Sequence, residues 1–242
     1  MIHVIYMAAG NSRRFGRNKL LVSWHGKPLY RHTLDLLLDR QQAWAGRCLI
    51  TITVVTQYEE ILRELGDRSG QEGLSIVYCA DSKKGVSYTI RAGIQAASRR
   101  AGSRSRLCGE TSQDMWMFVV ADQPLLSAAS IDALIQAACD AGDPGDRREQ
   151  AEECAPVCEK QFSPEAYALA CHGQAGNPCV FSDALIPELL ALEGDQGGRT
   201  VLRRHRCMYV EIGDAAEFMD IDSAEDAGRI GGMTDVDGNM AL

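Results

Sequence analysis

An apolar run at residues 2–6, IHVIY, passes directly into residues 7–19, MAAGNSRRFGRNK. Such a run reads as a strand, and a small, cationic loop at its end lies at the carboxyl edge of a sheet, where α/β folds take their ligands. Ala8, Ala9 and Gly10 are too small to hold a phosphate off the backbone, so their N–H groups can face oxyanions while Arg13, Arg14, Arg17 and Lys19 add charge. The loop reads as a polyphosphate site. Its plain alternative is a surface turn with solvated arginines.

Two common nucleotide loops are excluded. A P-loop needs Gly-Lys-Ser/Thr four residues after its first glycine, whereas Gly10 is followed by Asn11, Ser12, Arg13, Arg14 and Phe15, and Gly16 precedes Arg17. A dinucleotide fingerprint needs three spaced glycines and a distant acid, and here Gly10 and Gly16 stand among four cations.

Strand and helix patterns alternate along the remainder. Residues 30–38 space their leucines as a helix does; residues 49–56, LITITVVT, read as a buried strand, and residues 58–65 as a helix. A strand at 74–79, a loop at 85–89 and a helix at 90–101 follow. Residues 115–121, MWMFVVA, form another strand, which Pro124 helps to end, leaving Asp122 at its tip. Ser130 can cap a helix through Ala141. Residues 167–171, 179–181 and 208–212 are further strands, with helices near 184–192 and 222–230. The pattern predicts an α/β fold: a single doubly wound, mostly parallel sheet with helices on both faces. We expect one domain over 1–230 with polar insertions near 98–114 and 143–160, then a loose tail at 231–242.

A net charge of −8 argues against broad binding to nucleic acid or anionic membranes and for a small anionic ligand in a local basic pocket. No apolar stretch reaches the roughly 18 residues of a span, and the charged loop comes too early for a signal peptide, so a cytoplasmic protein is expected. Nine scattered cysteines read as reduced thiols. Cys154 and Cys158 lack the second close pair that a zinc site needs. His3, His25, His32, His172 and His205 are scattered and make no catalytic set.

The segments AAGNSRRFGRNKLL, GKPLYRHTLD, GVSYTIRAG, VVADQPLL, GNPCVF, GDQGGR and DIDSAED occur in one order. In that order the chain resembles the MobA-like nucleotidyltransferases, and within them the molybdenum cofactor cytidylyltransferases. The resemblance implies a transferase that moves CMP from CTP to the phosphate of molybdopterin with release of pyrophosphate, using Mg2+. It implies nucleotide-binding roles for Ala8, Ala9, Gly10, Ser12, Arg13, Gly85, Ser87 and Thr89, and catalytic roles for Arg14, Lys19 and Asp122. Asp122 and Asp222 are the implied metal ligands, with Asp220 in reserve. Gly176, Asn177, Pro178, Gly197, Gly198 and Arg199 would face the acceptor, and a recipient molybdoenzyme is an implied partner.

Each assignment has a plainer rival in the residues themselves. Asp122 before Pro124 suits a turn, Asp222 or Ser223 suits a helix cap with Asp226, and Ser87 or Thr89 suits a cap as well. Ala175 stands where the family often carries a basic residue. Ala8-Ala9-Gly10 favours cytidine because the guanylyl branch opens on Leu-Ala-Gly-Gly, and Asn18-Lys19-Leu20 departs from the Pro-Lys-Gln of isoprenoid cytidylyltransferases. The alternatives are transfer of a guanylyl or cytidylyl group to another phosphorylated acceptor, or a non-catalytic nucleotide-binding module.

Overall fold

Side chains of a strand alternate between sheet faces, and β1 (Ile2–Ala8) serves two cores that way. Ile2, Val4, Tyr6 and Ala8 enter one buried cluster, whereas Ile5 enters a second on the opposite face. The computed structural model describes residues 1–12, 18–66, 68, 70–105, 114–140, 164–222, 226 and 233–234. After β1 come β2 (Ser23–Trp24), β3 (Lys27–Pro28), α1 (Leu29–Ala43), β4 (Ile50–Thr56), α2 (Glu59–Gly66), β5 (Leu74–Tyr78) and α3 (Val86–Ser105). The second half holds β6 (Met115–Val120), α4 (Ala128–Asp140), β7 (Ala166–Cys171), β8 (Gln174–Ser182), α5 (Ile186–Leu190), α6 (Gly198–Leu202), β9 (Cys207–Glu211) and β10 (Met233–Thr234).

Seven strands form one sheet in the order β5-β4-β1-β6-β8-β7-β9. β5, β4, β1 and β6 run parallel, β8 runs antiparallel to both β6 and β7, and β9 is parallel to β7. Leu34, Leu37 and Leu38 of α1 and Leu134 of α4 share the first core; Ile90 and Ile94 of α3 and Leu189 of α5 share the second. The fold is therefore the expected α/β sheet with helices on both faces. From β1 the chain moves to β4 and β5 on one side, while β6 joins β1 on the other, so the strand order reverses at β1. Such a switch point opens a crevice beyond the carboxyl ends of β1 and β6.

Several local readings change. The helix predicted from residue 90 begins at Val86, so Ser87 and Thr89 sit on α3 instead of in a loop, and α3 runs on through Ser105 into the polar stretch. Ser130 is not the cap of α4: the Ser127 hydroxyl accepts from the Ser130 N–H at 3.1 Å, which is the cap geometry three residues earlier. The strand predicted at 179–181 starts at Gln174, so Gly176, Asn177 and Pro178 lie within β8. They coincide with a register shift against β7, between Ala168 and Ala170, and an irregular ladder tolerates a proline that a regular one excludes. Met233 and Thr234, within the segment read as a tail, pair with β2. The 143–160 insertion and most of the predicted last helix lie outside the described residues. Among those described, no helix is long and apolar enough to cross a membrane.

At the other end of the sheet His3 is buried, stacked on Trp116 at 4.4 Å between ring centroids, and bonded to Thr51 Oγ1 at 3.0 Å and Asp114 at 3.4 Å. Burial lowers its pKa below 6.5, against the opposing pull of Asp114. A base with a depressed folded pKa binds protons more tightly when unfolded, so its contribution is complete above pH 6.5 and declines as the pH falls through it. Urea melts between pH 7.5 and 5 should show this loss, and His3→Gln should make it shallower.

Candidate active site

Beyond the ends of β1 and β6 lies a cleft of about 180 Å3, lined by Ala9, Gly10, Lys19, Thr89, Asp122 and Asp195. The sequence folds Lys19 inward through a local device. Asn18 caps a single 3-10 turn, its Oδ1 accepting from the Leu20 N–H at 3.1 Å, and the turn directs the Lys19 side chain into the protein, where it is only 6% exposed. The ammonium donates to Asp122 Oδ2 at 2.9 Å and to Asp222 Oδ1 at 2.6 Å.

Backbone and amide bonds explain why acids so distant in sequence meet. The Ile221 N–H donates to the Asp122 carbonyl at 3.0 Å. Gln123 donates from Nε2 to Asp220 Oδ1 at 2.8 Å, and its own carbonyl accepts from the Thr33 hydroxyl of α1, also at 2.8 Å. Asp220 is thereby turned to Gln123, and Asp222 to Lys19. Burial alone would lower the Lys19 pKa, but the charges and hydrogen bonds of Asp122 and Asp222 outweigh it and the net shift is upward. Lys19 is thus a charged ammonium at neutral pH. Lost solvation, and then the Asp122 charge, raise Asp220, with the Gln123 amide opposing them.

Two carboxylates aimed at one cationic point form a donor set that suits Mg2+, which typically takes one or two carboxylates and completes its shell with phosphates and water. Among the described residues no group of three or more His, Cys, Asp or Glu forms a fuller protein cage. The fit is that of a cation shared with a phosphorylated ligand.

The first loop is held from the neighbouring strand. Ala8 ends β1, fully buried opposite Thr56. Gln57 Nε2 donates to the Ala9 carbonyl at 2.7 Å and to Asn11 Oδ1 at 3.1 Å, and the Tyr58 hydroxyl donates to the Gly10 carbonyl. Asn11 Nδ2 in turn reaches the Lys83 carbonyl at 3.1 Å. Ser12, in the left-handed region at φ 46°, accepts from the Lys19 N–H at 3.2 Å and so joins the two ends of the intervening segment. Arg13 and Arg14, with Gly16 and Arg17, lie outside the described residues.

The other wall differs from the expected roles in detail. Gly85 lies at φ 149°, closes a 3-10 turn and abuts residue 194; the Ser87 N–H donates to the Gly194 carbonyl at 3.1 Å. Ser87 is fully buried, its hydroxyl accepting from Arg91 at 3.4 Å, and it is not among the cleft-lining side chains. Thr89 does line the cleft, but its hydroxyl donates to Ser82 Oγ at 2.9 Å. Ser82, Asn11, Gln57 and Tyr58 are cleft or loop contacts beyond the expected site residues, and Asn11 and Ser82 have a local signal in standing within or beside the two small-residue loops. Asp195 belongs to the GDQGGR segment expected on the acceptor side, and it lines the cleft with Lys19 and Asp122 instead.

On the expected acceptor side, Phe218 fills the space in front of Gly176, where a Cβ would meet its ring at 2.5 Å. Gly197 precedes α6 and Gly198 opens it, with Gly198 close to Phe181. Arg199 is exposed and donates from Nη2 to the Ala175 carbonyl at 3.1 Å, tying α6 to β8. Asp195, three residues before Gly198, lines the cleft beyond the ends of β1 and β6.

A crevice at a sheet switch point, a small-residue loop and paired carboxylates around a lysine define a nucleotide-handling α/β protein. Residues 4–208 match the MobA-like NTP transferase domain, and the chain belongs to that family. It is 24% identical over 226 residues, 92% of each chain, to the purine catabolism protein PucB of Bacillus subtilis. The crystal structure of Rv0371c from Mycobacterium tuberculosis superposes with a TM-score of 0.62 at 18% identity, over 95% of this chain and 96% of that one. Rv0371c has also been solved in complex with manganese. Molybdopterin-guanine dinucleotide biosynthesis protein A of Archaeoglobus fulgidus gives a TM-score of 0.56 at 15% identity, over 95% of this chain and 96% of that one.

The contact between Gly85 and Gly194 yields a direct test. A Cβ at residue 85 would stand 2.2 Å from the Gly194 carbonyl oxygen, at a φ that side chains avoid. Gly85→Ala should cost about 1–3 kcal/mol, the range for strained backbone and overpacking, as read by urea denaturation. Nucleotide affinity should fall with it, because the shift displaces Asp195 from the cleft.

Proposed function

We propose that this chain transfers CMP from CTP to the phosphate of molybdopterin, or its molybdenum-loaded form, releasing pyrophosphate. The observation that carries the reading is the convergence of Lys19, Asp122 and Asp222 beside the loop that ends β1. Family membership supports nucleotidyl transfer, and the Ala8-Ala9-Gly10 opening supports cytidine. The Archaeoglobus neighbour, named for molybdopterin dinucleotide synthesis, supports the acceptor class.

In this reading an acceptor phosphate oxygen attacks the α-phosphorus of CTP, the new P–O bond forms, and the bond from that phosphorus to the bridging oxygen of pyrophosphate breaks. The attacking oxygen is already anionic, so the protein supplies no general base. Its work is positioning and charge stabilisation. Ala8, Ala9 and Gly10 seat the nucleotide, with Ser12 closing the loop. Arg13 and Arg14 supply phosphate contacts, and Lys19 meets the charge that develops on the leaving group. Thr89 and Gly85 shape the far wall, and Ser87 acts through the backbone. Gly176, Asn177, Pro178, Gly197, Gly198 and Arg199 bound the acceptor side. Asp122 and Asp222 would hold Mg2+, which when bound polarises phosphate oxygens and neutralises their charge. That Rv0371c has been solved with manganese supports the use of a divalent ion. Residues 1–230 act as one catalytic domain, in the cytoplasm, and hand product to a recipient molybdoenzyme.

Pyrophosphate release from each of the four NTPs, with molybdopterin as acceptor, tests the whole reading. CTP should give the highest kcat/KM, and EDTA should abolish turnover until Mg2+ is restored. Turnover with GTP alone would overturn the cytidylyl assignment, and NTP binding without turnover would overturn the enzyme. Asp122→Asn should lower kcat/KM by about 10²–10³, the scale on which a preorganised charge contact acts. Asp220→Asn, at a carboxylate bonded to the Gln123 amide instead of the Lys19 ammonium, should lower it far less.

A further inference from the structure

The nucleotide loop is oriented through its carbonyls, by side chains that belong to a different strand. In a planar trans peptide the carbonyl of one residue and the N–H of the next point in opposite directions. Gln57 draws the Ala9 carbonyl toward the β4–α2 junction at 2.7 Å, which turns the Gly10 N–H the other way. The Tyr58 hydroxyl draws the Gly10 carbonyl in the same manner, which turns the Asn11 N–H away from the junction. Ala9, Gly10 and Asn11 line the cleft, and a Cβ built on Gly10 would meet nothing within 4 Å, so the space before these amides is open. Neither the Gly10 nor the Asn11 N–H has a hydrogen-bond partner among the described residues.

Both holding residues are themselves fixed. The Tyr58 N–H donates to Thr56 Oγ1 at 3.1 Å and its carbonyl accepts from the Leu62 N–H at 3.1 Å, which sets it at the start of α2. Its ring packs against the first core. The Gln57 amide is bifurcated between Ala9 and Asn11 Oδ1, and Asn11 is held from the opposite side by the Lys83 carbonyl. The scaffold thus grips the Ala9 and Gly10 carbonyls and the Asn11 side chain.

We propose that Gln57 and Tyr58 are positioning residues for nucleotide binding: by holding the Ala9 and Gly10 carbonyls they present the Gly10 and Asn11 N–H groups to the acceptor oxygens of a nucleoside triphosphate. This rests on the nucleotidyltransferase reading and adds to it the device that preorganises the loop. Preorganisation reduces the ordering cost of binding, so its loss appears in affinity.

The test uses Tyr58→Phe, which keeps the ring and its packing, and Gln57→Glu, which replaces a donor by an acceptor facing two oxygens. The Kd for CTP is measured calorimetrically without acceptor, KM and kcat with it, and thermal stability alongside. Each variant should weaken CTP binding and raise KM about tenfold, with kcat changed less than about twofold and a melting temperature near that of the wild type. The double variant should be no weaker than the product of the two. Wild-type CTP affinity in both folded variants overturns the positioning role alone, as does a loss confined to kcat. A wild-type protein that binds no NTP overturns the nucleotide reading with it. If Gln57→Glu does not fold, Gln57→Met, which removes the donor without adding charge, takes its place with the same expected rise in KM.

Discussion

A buried ammonium needs a counter-charge, and the two carboxylates that meet Lys19 give the cleft its form. Desolvating a lysine costs several kcal/mol, and only closely held partners repay it. Asp122 and Asp222 do so at 2.9 and 2.6 Å, from positions more than 100 residues away in the chain. The meeting requires that β6 end where it does and that the 220–222 segment cross beside it. The Asp122 carbonyl, the Gln123 amide and Thr33 of α1 each contribute a bond to that crossing. One ion triad thus joins the loop after β1, the turn after β6 and the region after β9.

Rigidity behind the triad comes from the central position of β1. Parallel ladders to β4 and β6 flank it on both edges, and cores on both faces leave it no solvent-facing side. A loop leaving such a strand begins from a fixed point, and Gln57, Tyr58 and Ser12 fix its course further. The opposite wall is set by close packing of two backbones, with Gly85 against Gly194. One wall is therefore fixed by side chains that grip loop backbone groups and the other by direct packing of backbone on backbone.

The parts of this arrangement written locally could be read in advance. The β1 run, the small-residue loop and the apolar 115–121 strand each carry their signal within a few adjacent residues, and the α/β class follows from their alternation. Non-local parts could not be read. Gln57 and Tyr58 look like an ordinary strand-to-helix junction until β1 lies beside β4. Asp220 and Asp222 are equivalent by period-two spacing, and it is the Gln123 amide that separates them. The apolar signal of β8 covers only residues 179–181, and the register shift against β7 shows how Pro178 is accommodated in the longer strand. The 85–89 segment reads locally as a loop, whereas Gly85 closes the preceding turn and Ser87 already lies inside the helix.

Charge balance explains why so many cations cluster in the first loop. Lys19, Asp122 and Asp222 together hold one more carboxylate than ammonium, so the floor of the cleft is negative on its own. A triphosphate brings several further negative charges into the same volume, and at short range in a partly desolvated site like charges repel strongly. Lys19 cannot neutralise phosphates while it is fully engaged by both acids. Either additional cations accompany the nucleotide and relieve the carboxylates, or the loop supplies them. The sequence provides Arg13, Arg14 and Arg17 in the same loop segment as Lys19, and a divalent ion bound between the acids would free the Lys19 ammonium for the phosphates. The carboxylate pair and the cationic loop are thus two halves of one electrostatic requirement: the acids alone would repel the substrate, and the cations alone would leave Lys19 buried without a partner.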